Sequence, residues 1–320
     1  METVRIGGRR YSDPDIISLA RKTGELICPR FTIKTQARLL LEELKEFNGL
    51  PSAPFERLKI LASLRGIKIK PMSLERSRQE NRDAVLYPTE SGSAILYNPN
   101  RPKSRTIFTI GHEIIHTLFP NSTSGARFRA MTSPDSREAS ELERLCDLGA
   151  AELVFPLEDF QRLVDGNYSL TKVPLLAEHF GASYEATAYR LATAHPGRAI
   201  AALLRYRRRV GEDREIIKVS SQQFLFRTNK NGPAPAAKKY RRQSLYLSDQ
   251  CNDSYNIPWN KSFDPGSVVN SAERDCVIAA IEPLPKSSGK TGRLEAIIAP
   301  YQREEADNEF GDVLFFWEEI

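Results

Sequence analysis

Two of the chain's four histidines, His112 and His116, fall within one pentapeptide, His112-Glu113-Ile114-Ile115-His116. On a helix, residues four apart lie one turn apart on the same face, so the two imidazoles converge on one point. A Zn²⁺ ion at that point would sit about 2.0–2.1 Å from each nitrogen. Glu113 is rotated by about 100° from His112 on a helix of that period. It therefore stands beside the metal position rather than on it, where it can take a proton from an attacking water and later deliver it to a leaving amine. A bound zinc lowers the pKa of water to about 7, which is what makes water a nucleophile at neutral pH. The H-E-x-x-H spacing thus points to metal-dependent hydrolysis of a peptide bond. Two solvated histidines on a surface helix are the plainer explanation, and the flanks oppose it. Ile107, Phe108, Ile110, Ile114, Ile115, Leu118 and Phe119 make the segment apolar on more than one side, and a buried imidazole needs a partner.

A catalytic zinc site requires a third protein ligand and one open position. No third histidine follows at short spacing. The next helical stretch offers carboxylates instead, at Glu138, Glu141, Glu143, Asp147 and Glu152. Glu143 and Asp147 lie four apart on one face, so one can bind the ion while the other accepts a hydrogen bond from a ligating histidine, fixing its tautomer. The favoured assignment is Glu143 as ligand and Asp147 as the orienting carboxylate, with the remaining acidic residues as a solvated face. Two imidazoles and a carboxylate suit Zn²⁺ and do not exclude Mn²⁺ or Fe²⁺.

Several elements must hold these groups in place. Ala37, Leu40, Leu41, Leu44 and Phe47 mark one face of a helix over 35–48, stopped by Gly49; a second helix is expected over 54–65, between Pro54 and Gly66. Ile67–Lys70 reads as a short strand, and the apolar runs at 83–87 and 94–97 as a hairpin. The histidine-bearing helix is expected over 104–119 with Ser104 as its N-cap, and the carboxylate-bearing helix over 137–154, with a polar loop between them. Residues 157–197 look all-helical, broken at Gly181-Ala182-Ser183 in the manner of a helix-turn-helix. From 198 onward short apolar runs at 199–204, 214–219, 223–226, 276–281, 294–299 and 313–317 alternate with turn residues, and 229–243 reads as an exposed loop. The expected class is α+β. A metallopeptidase domain spans 1–156, a helical subdomain 157–197 and a strand-rich domain 198–320.

The chain's 320 residues suffice for more than one core. It holds no run of eighteen apolar residues and no apolar stretch near its start, so neither a spanning helix nor a secretory signal is expected. Its four cysteines are widely spaced, which reads as reduced thiols in a cytoplasmic protein rather than a disulfide framework. The net charge of +5 permits contact with nucleic acid without favouring it.

The stretch Phe108-Thr109-Ile110-Gly111-His112-Glu113-Ile114-Ile115-His116, followed by Glu143 through Asp147, Ala150-Ala151-Glu152-Leu153 and Pro156, resembles the ImmA/IrrE family of bacterial metallopeptidases. That family shows an F-t-x-x-H-E-x-x-H helix and then E-x-x-A-[ND]-x-F-A-A-E-L-L-x-P. The resemblance covers residues 35–195. It implies a mainly helical, zincin-like domain with a small sheet and a helix-turn-helix-like subdomain. It also implies zinc held by His112, His116 and Glu143. The implied substrate is a helix-turn-helix transcriptional repressor, cleaved in a stress, mobile-element or defence response. Cys146 stands where that family usually has alanine, as a small buried residue in the same slot. Gly149 replaces an aromatic residue and is expected to leave a gap in the core and to weaken the helix by about 1 kcal/mol. The 198–320 segment occupies the place of a GAF-like sensor domain.

The second helix of the 157–197 pair, with Arg190 as its one cation, is poorly equipped to read base edges. The basic clusters Arg205-Tyr206-Arg207-Arg208-Arg209 and Lys238-Lys239-Tyr240-Arg241-Arg242 could grip phosphates, but solvated strand ends explain them more simply. His179, His195 and Tyr97 are weaker candidates for stabilising an oxyanion, and the strand bearing Tyr97 for pairing with an extended substrate. The sequence therefore reads as a zinc-dependent endopeptidase acting on a regulatory protein. The rival reading is a DNA- or ligand-responsive regulator with a structural or vestigial metal site.

Overall fold

A computed structural model describes residues 3–6, 9–22, 28–49, 51–73, 83–90, 92–119, 137–207, 238–251, 254–255, 257–259, 261–263, 266–273, 276–284, 290–299 and 311–320. The expected loop at 120–135, the runs at 214–219 and 223–226, and most of the 229–243 stretch lie outside these residues. The chain divides into two compact units, Met1–Leu163 with Leu175–Ser183, and Val164–Pro174 with Tyr184–Ile320. The division runs through the 157–197 segment.

The first unit begins with the hairpin β1 (Val4–Ile6) and β2 (Arg9–Tyr11) and helix α1 (Pro14–Arg21). Asp13 caps α1, accepting bonds from the Asp15 and Ile16 amides. Helices α2 (Pro29–Asn48) and α3 (Pro54–Leu64) follow. α2 starts six residues earlier than its apolar periodicity marks, because Pro29 suits the first helical turn. Gly49 ends it at φ +71°, and Gly66 stops the chain after α3 at φ +69°, a conformation that glycine adopts at no steric cost. Strands β3 (Ile67–Pro71), β4 (Ala84–Thr89) and β5 (Gly92–Tyr97) form a sheet of order β3-β5-β4, with β3 parallel and β4 antiparallel to β5. The expected hairpin is present.

Helix α4 (Lys103–His116) carries the H-E-x-x-H segment and packs on β4 and β5. It starts after Pro102 rather than from a Ser104 cap, and has no side-chain cap. Asp83, just before β4, instead holds its first turn through Arg105, and also pairs with Arg101. Ile107, Ile110, Ile114 and Ile115 are buried, as the apolar flanks require. Helix α5 (Arg137–Val154), with the expected bounds, packs along both α4 and α2. It is pinned at its far end. Buried Arg57 of α3 donates to the Leu153 and Val154 carbonyls, which a helix end leaves without intrahelical partners. Glu152 is bonded through both oxygens to Arg38 of α2. Helix α6 (Leu157–Val164) adds Phe160 to a cluster with Phe155 and Phe180.

The α4–α5 contact is close because small residues line it. A Cβ placed on Gly149 would stand 2.8 Å from two carbons of the Ile115 side chain. The expected gap at Gly149 is therefore absent, since Ile115 fills it. Gly111 differs: a Cβ there would meet Ala150 at 3.6 Å, an ordinary contact.

Helix α7 (Val173–His179) and helix α8 (Tyr184–Ala194) are separated by the expected break, where Gly181 has φ +56°. The second unit is built on a five-stranded antiparallel sheet of order β7-β6-β10-β9-β8. Its strands are β6 (Ala199–Arg207), β7 (Lys239–Leu247), β8 (Ile278–Pro283), β9 (Thr291–Ile298) and β10 (Val313–Glu319). On one face Ile200, Ala202, Val313, Phe315 and Trp317 join a single core, and α8 packs against β6, β7 and β10. With cover on both faces, Ala199–Leu204 and Val313–Trp317 are buried throughout, which erases the polar alternation of a one-faced sheet. The basic residues from Lys239 to Arg242 belong to β7, not to a loop. Arg207 and Arg242 lie over the Trp259 ring. The α+β class is as the sequence indicates. Among the described residues no helix is long and apolar enough to cross a membrane, and no disulfide joins the four cysteines.

Gly149→Ala should lower stability by about 1–3 kcal/mol through overpacking, whereas Gly111→Ala should be neutral or stabilising by up to about 1 kcal/mol. Urea denaturation of the two variants checks this, and equal effects would contradict the packing account.

Candidate metal centre

Helix α4 aims His112 and His116 at the facing side of α5. Their Nε2 atoms are 3.0 Å apart. Glu143 of α5 places Oε2 3.1 Å from His112 Nε2 and Oε1 3.7 Å from His116 Nε2. Three donors on one ion in tetrahedral array stand about 3.3–3.5 Å apart, given bonds of about 2.0–2.2 Å. The observed separations bracket that spacing. Among the described residues, Glu143 Oε1 is buried yet accepts no hydrogen bond, although a buried carboxylate oxygen ordinarily finds a donor. Two imidazole nitrogens and a carboxylate form a donor set suited to zinc. The residues therefore fit a divalent metal.

Asp147, one turn beyond Glu143 on the same face, places Oδ1 2.8 Å from His112 Nδ1. This bond fixes which nitrogen of His112 is left for a ligand. Glu113 Oε2 accepts a 3.0 Å bond from the Leu86 amide of β4, and its charge favours the protonated form of His112. That donor was not foreseen. It comes from the backbone of an edge strand, and no side-chain motif signals it. Cys146 was also passed over as a donor. A thiol sulfur there and a ring nitrogen on each of His112 and His116 all lie within 4.8 Å of one another. Its spacing of three from Glu143 could have shown that it shares the face.

The other acidic residues of α5 are engaged elsewhere. Glu152 binds Arg38, and Glu141 lies near Arg30 and Arg144. The Glu138 side chain lies outside the described residues. His195 is satisfied on both nitrogens, facing Glu318 through Nε2 and accepting from the Gly197 amide at Nδ1. His179 sits edge-on to Phe180. Tyr97 belongs to the central strand of its sheet, so β5 has no edge to offer a substrate; β4 does. None of these three joins the cluster.

The groups of the cluster shift one another's protonation. Burial pulls the His112 imidazole down, but hydrogen bonds to Asp147 and Glu143 outweigh it and push the pKa up to about 10. Burial pushes Glu143 up, but the neighbouring His112 and His116 imidazoles hold it well below the usual carboxylate range. His112 faces Asp147 Oδ1 through Nδ1 and Glu143 Oε2 through Nε2. A metal ion bound at Nε2 would take the place of any proton there.

Residues 63–192 match the profile of the Peptidase_M78 family, described as the IrrE N-terminal-like domain. This segment is similar to the ImmA/IrrE family. The matched segment includes α4 and α5 with His112, Glu113, His116, Glu143, Cys146 and Asp147, and this family of peptidases is metal-dependent. A solved Mycobacterium tuberculosis transcriptional regulator is similar at 12% identity, over 89% of this chain and 75% of that one, with a TM-score of 0.49. No curated protein matches the chain.

Asp147→Asn should weaken zinc binding by about 10- to 100-fold, the usual cost of losing a carboxylate that orients a ligating histidine. A competition titration against a chelating dye measures it. A raised histidine pKa has a defined sign: its contribution to stability is full below the ordinary value of 6.5 and is lost as pH rises to about 10. Chelator-stripped protein should therefore lose melting temperature across that interval, and His112→Gln should flatten the loss. A stripped protein whose melting temperature holds constant across this range would contradict the pairing.

Proposed function

We propose that the protein is a zinc-dependent endopeptidase. It would cleave a specific regulatory protein, most simply a helix-turn-helix transcriptional repressor, in the cytoplasm. The observation that carries the reading is Glu113. It follows His112 directly on α4, its charge acts on the His112 imidazole, and its carboxylate is anchored by the Leu86 amide. A purely structural metal site has no use for such a base.

His112, His116 and Glu143 are the proposed ligands and Asp147 orients His112. When bound, zinc supplies a Lewis acid for the scissile carbonyl and lowers the pKa of nearby water. Glu113 then removes a proton from the attacking water. Because it stays beside the same point, it can hand that proton to the departing amine. The Leu86 bond limits the rotamers open to the carboxylate and keeps it from folding onto the ligands. His112, Glu113, His116 and Glu143 each keep some solvent exposure, which a site acting on an exposed segment of a protein substrate requires. The match of residues 63–192 to the Peptidase_M78 family supports peptide hydrolysis, and the repressor as substrate rests on the resemblance. The basic cluster on β7 does not by itself favour nucleic acid.

Glu113→Gln removes the base and keeps the shape. It should retain zinc while cleavage falls by about 10²- to 10⁴-fold. Intact-mass spectrometry of a helix-turn-helix repressor incubated with each form reads the outcome. Equal cleavage by both forms, or biological activity that survives in the variant, would favour the regulator with a structural metal.

A further inference from the structure

We propose that Cys146 is a sulfur ligand of the metal, closing the position that His112, His116 and Glu143 leave open. The inference rests on the metal-centre reading above. Its first support is geometric. Cys146 Sγ and one ring nitrogen from each histidine lie mutually within 4.8 Å. A thiolate bound at about 2.3 Å and an imidazole at about 2.0–2.1 Å stand about 3.6 Å apart when tetrahedral. Binding would draw the sulfur and the two rings together by up to about 1 Å.

The second support is the helix. Glu143, Cys146 and Asp147 are spaced three and four apart, so all three project from one face of α5, toward α4. Cys146 is fully buried there. Thiolate is among the preferred donors for zinc and would give up its proton on binding.

The consequence is regulatory. Two histidines, a glutamate and a cysteine make a four-coordinate set, the closed arrangement of structural zinc sites. Water and a scissile carbonyl then reach the metal only when Cys146 swings aside. The site would rest in a closed form and open when its surroundings, or a bound substrate, draw the thiolate away.

Cobalt titration of chelator-stripped full-length protein tests this, because thiolate coordination to Co²⁺ gives a near-ultraviolet charge-transfer band that nitrogen and oxygen ligands do not. The wild type should take up one Co²⁺ per chain and show the band. Cys146→Ala should still take up one Co²⁺ and lose the band. If that variant does not fold, a chain with Cys28, Cys251 and Cys276 replaced by serine should keep the band. Stoichiometric uptake by the wild type with no band, or a band that survives in Cys146→Ala, overturns the proposal and leaves the metal centre standing. Failure of the wild type to bind cobalt at all overturns the metal-centre reading and the proposal together.

Discussion

The structure of the first unit depends on how closely α4 can lie against α5. The histidines are on one helix and the carboxylates on the other, and neither helix alone can surround an ion. Glycine at 149 lets Ile115 lie directly against the α5 backbone, and Gly111 and Ala150 keep the same contact thin one turn earlier. At that separation Glu143 reaches both imidazoles and Asp147 reaches the far side of one. Side chains in cores are packed near crystal density, so a methyl added at Gly149, against Ile115, is not absorbed locally but shifts a helix. The contacts of Arg57 and Arg38 with the end of α5 fix that helix against sliding along its neighbour.

The same closeness creates an electrostatic demand. Glu113, Glu143 and Asp147 crowd two imidazoles in a partly buried place, and carboxylates with low solvent access need a compensating charge. A proton on His112 meets part of that need, which is why its basicity rises despite burial. A divalent cation meets more of it, and also gives Glu143 Oε1 a partner.

Much of the site was legible in the sequence because helical spacing is a geometric statement. His112 and His116 at four, and Glu143 and Asp147 at four, could be paired before any coordinates. What spacing cannot convey is which backbone groups arrive from elsewhere, so the Leu86 amide beside Glu113 was invisible. Gly149 was misread because a missing side chain looks like a void until the neighbour that fills it is known. The sheet of the second unit showed its strands as short apolar runs but not their order, since the pairing of β6 with β10 joins residues more than a hundred positions apart. The 229–243 stretch read as a loop because its lysines and arginines hid the alternation of β7. The early hairpin and α1 went unread because three-residue strands carry too little periodicity to register.

The central claim is that His112, His116 and Glu143 converge on one metal ion. X-ray diffraction data collected on either side of the zinc absorption edge, from crystals of protein purified without chelator, test it most directly. The account predicts one anomalous peak per chain, about 2.0–2.2 Å from a nitrogen of each histidine and an oxygen of Glu143. Zinc bound elsewhere, or a well-ordered cluster of these three side chains with no peak between them, would contradict it.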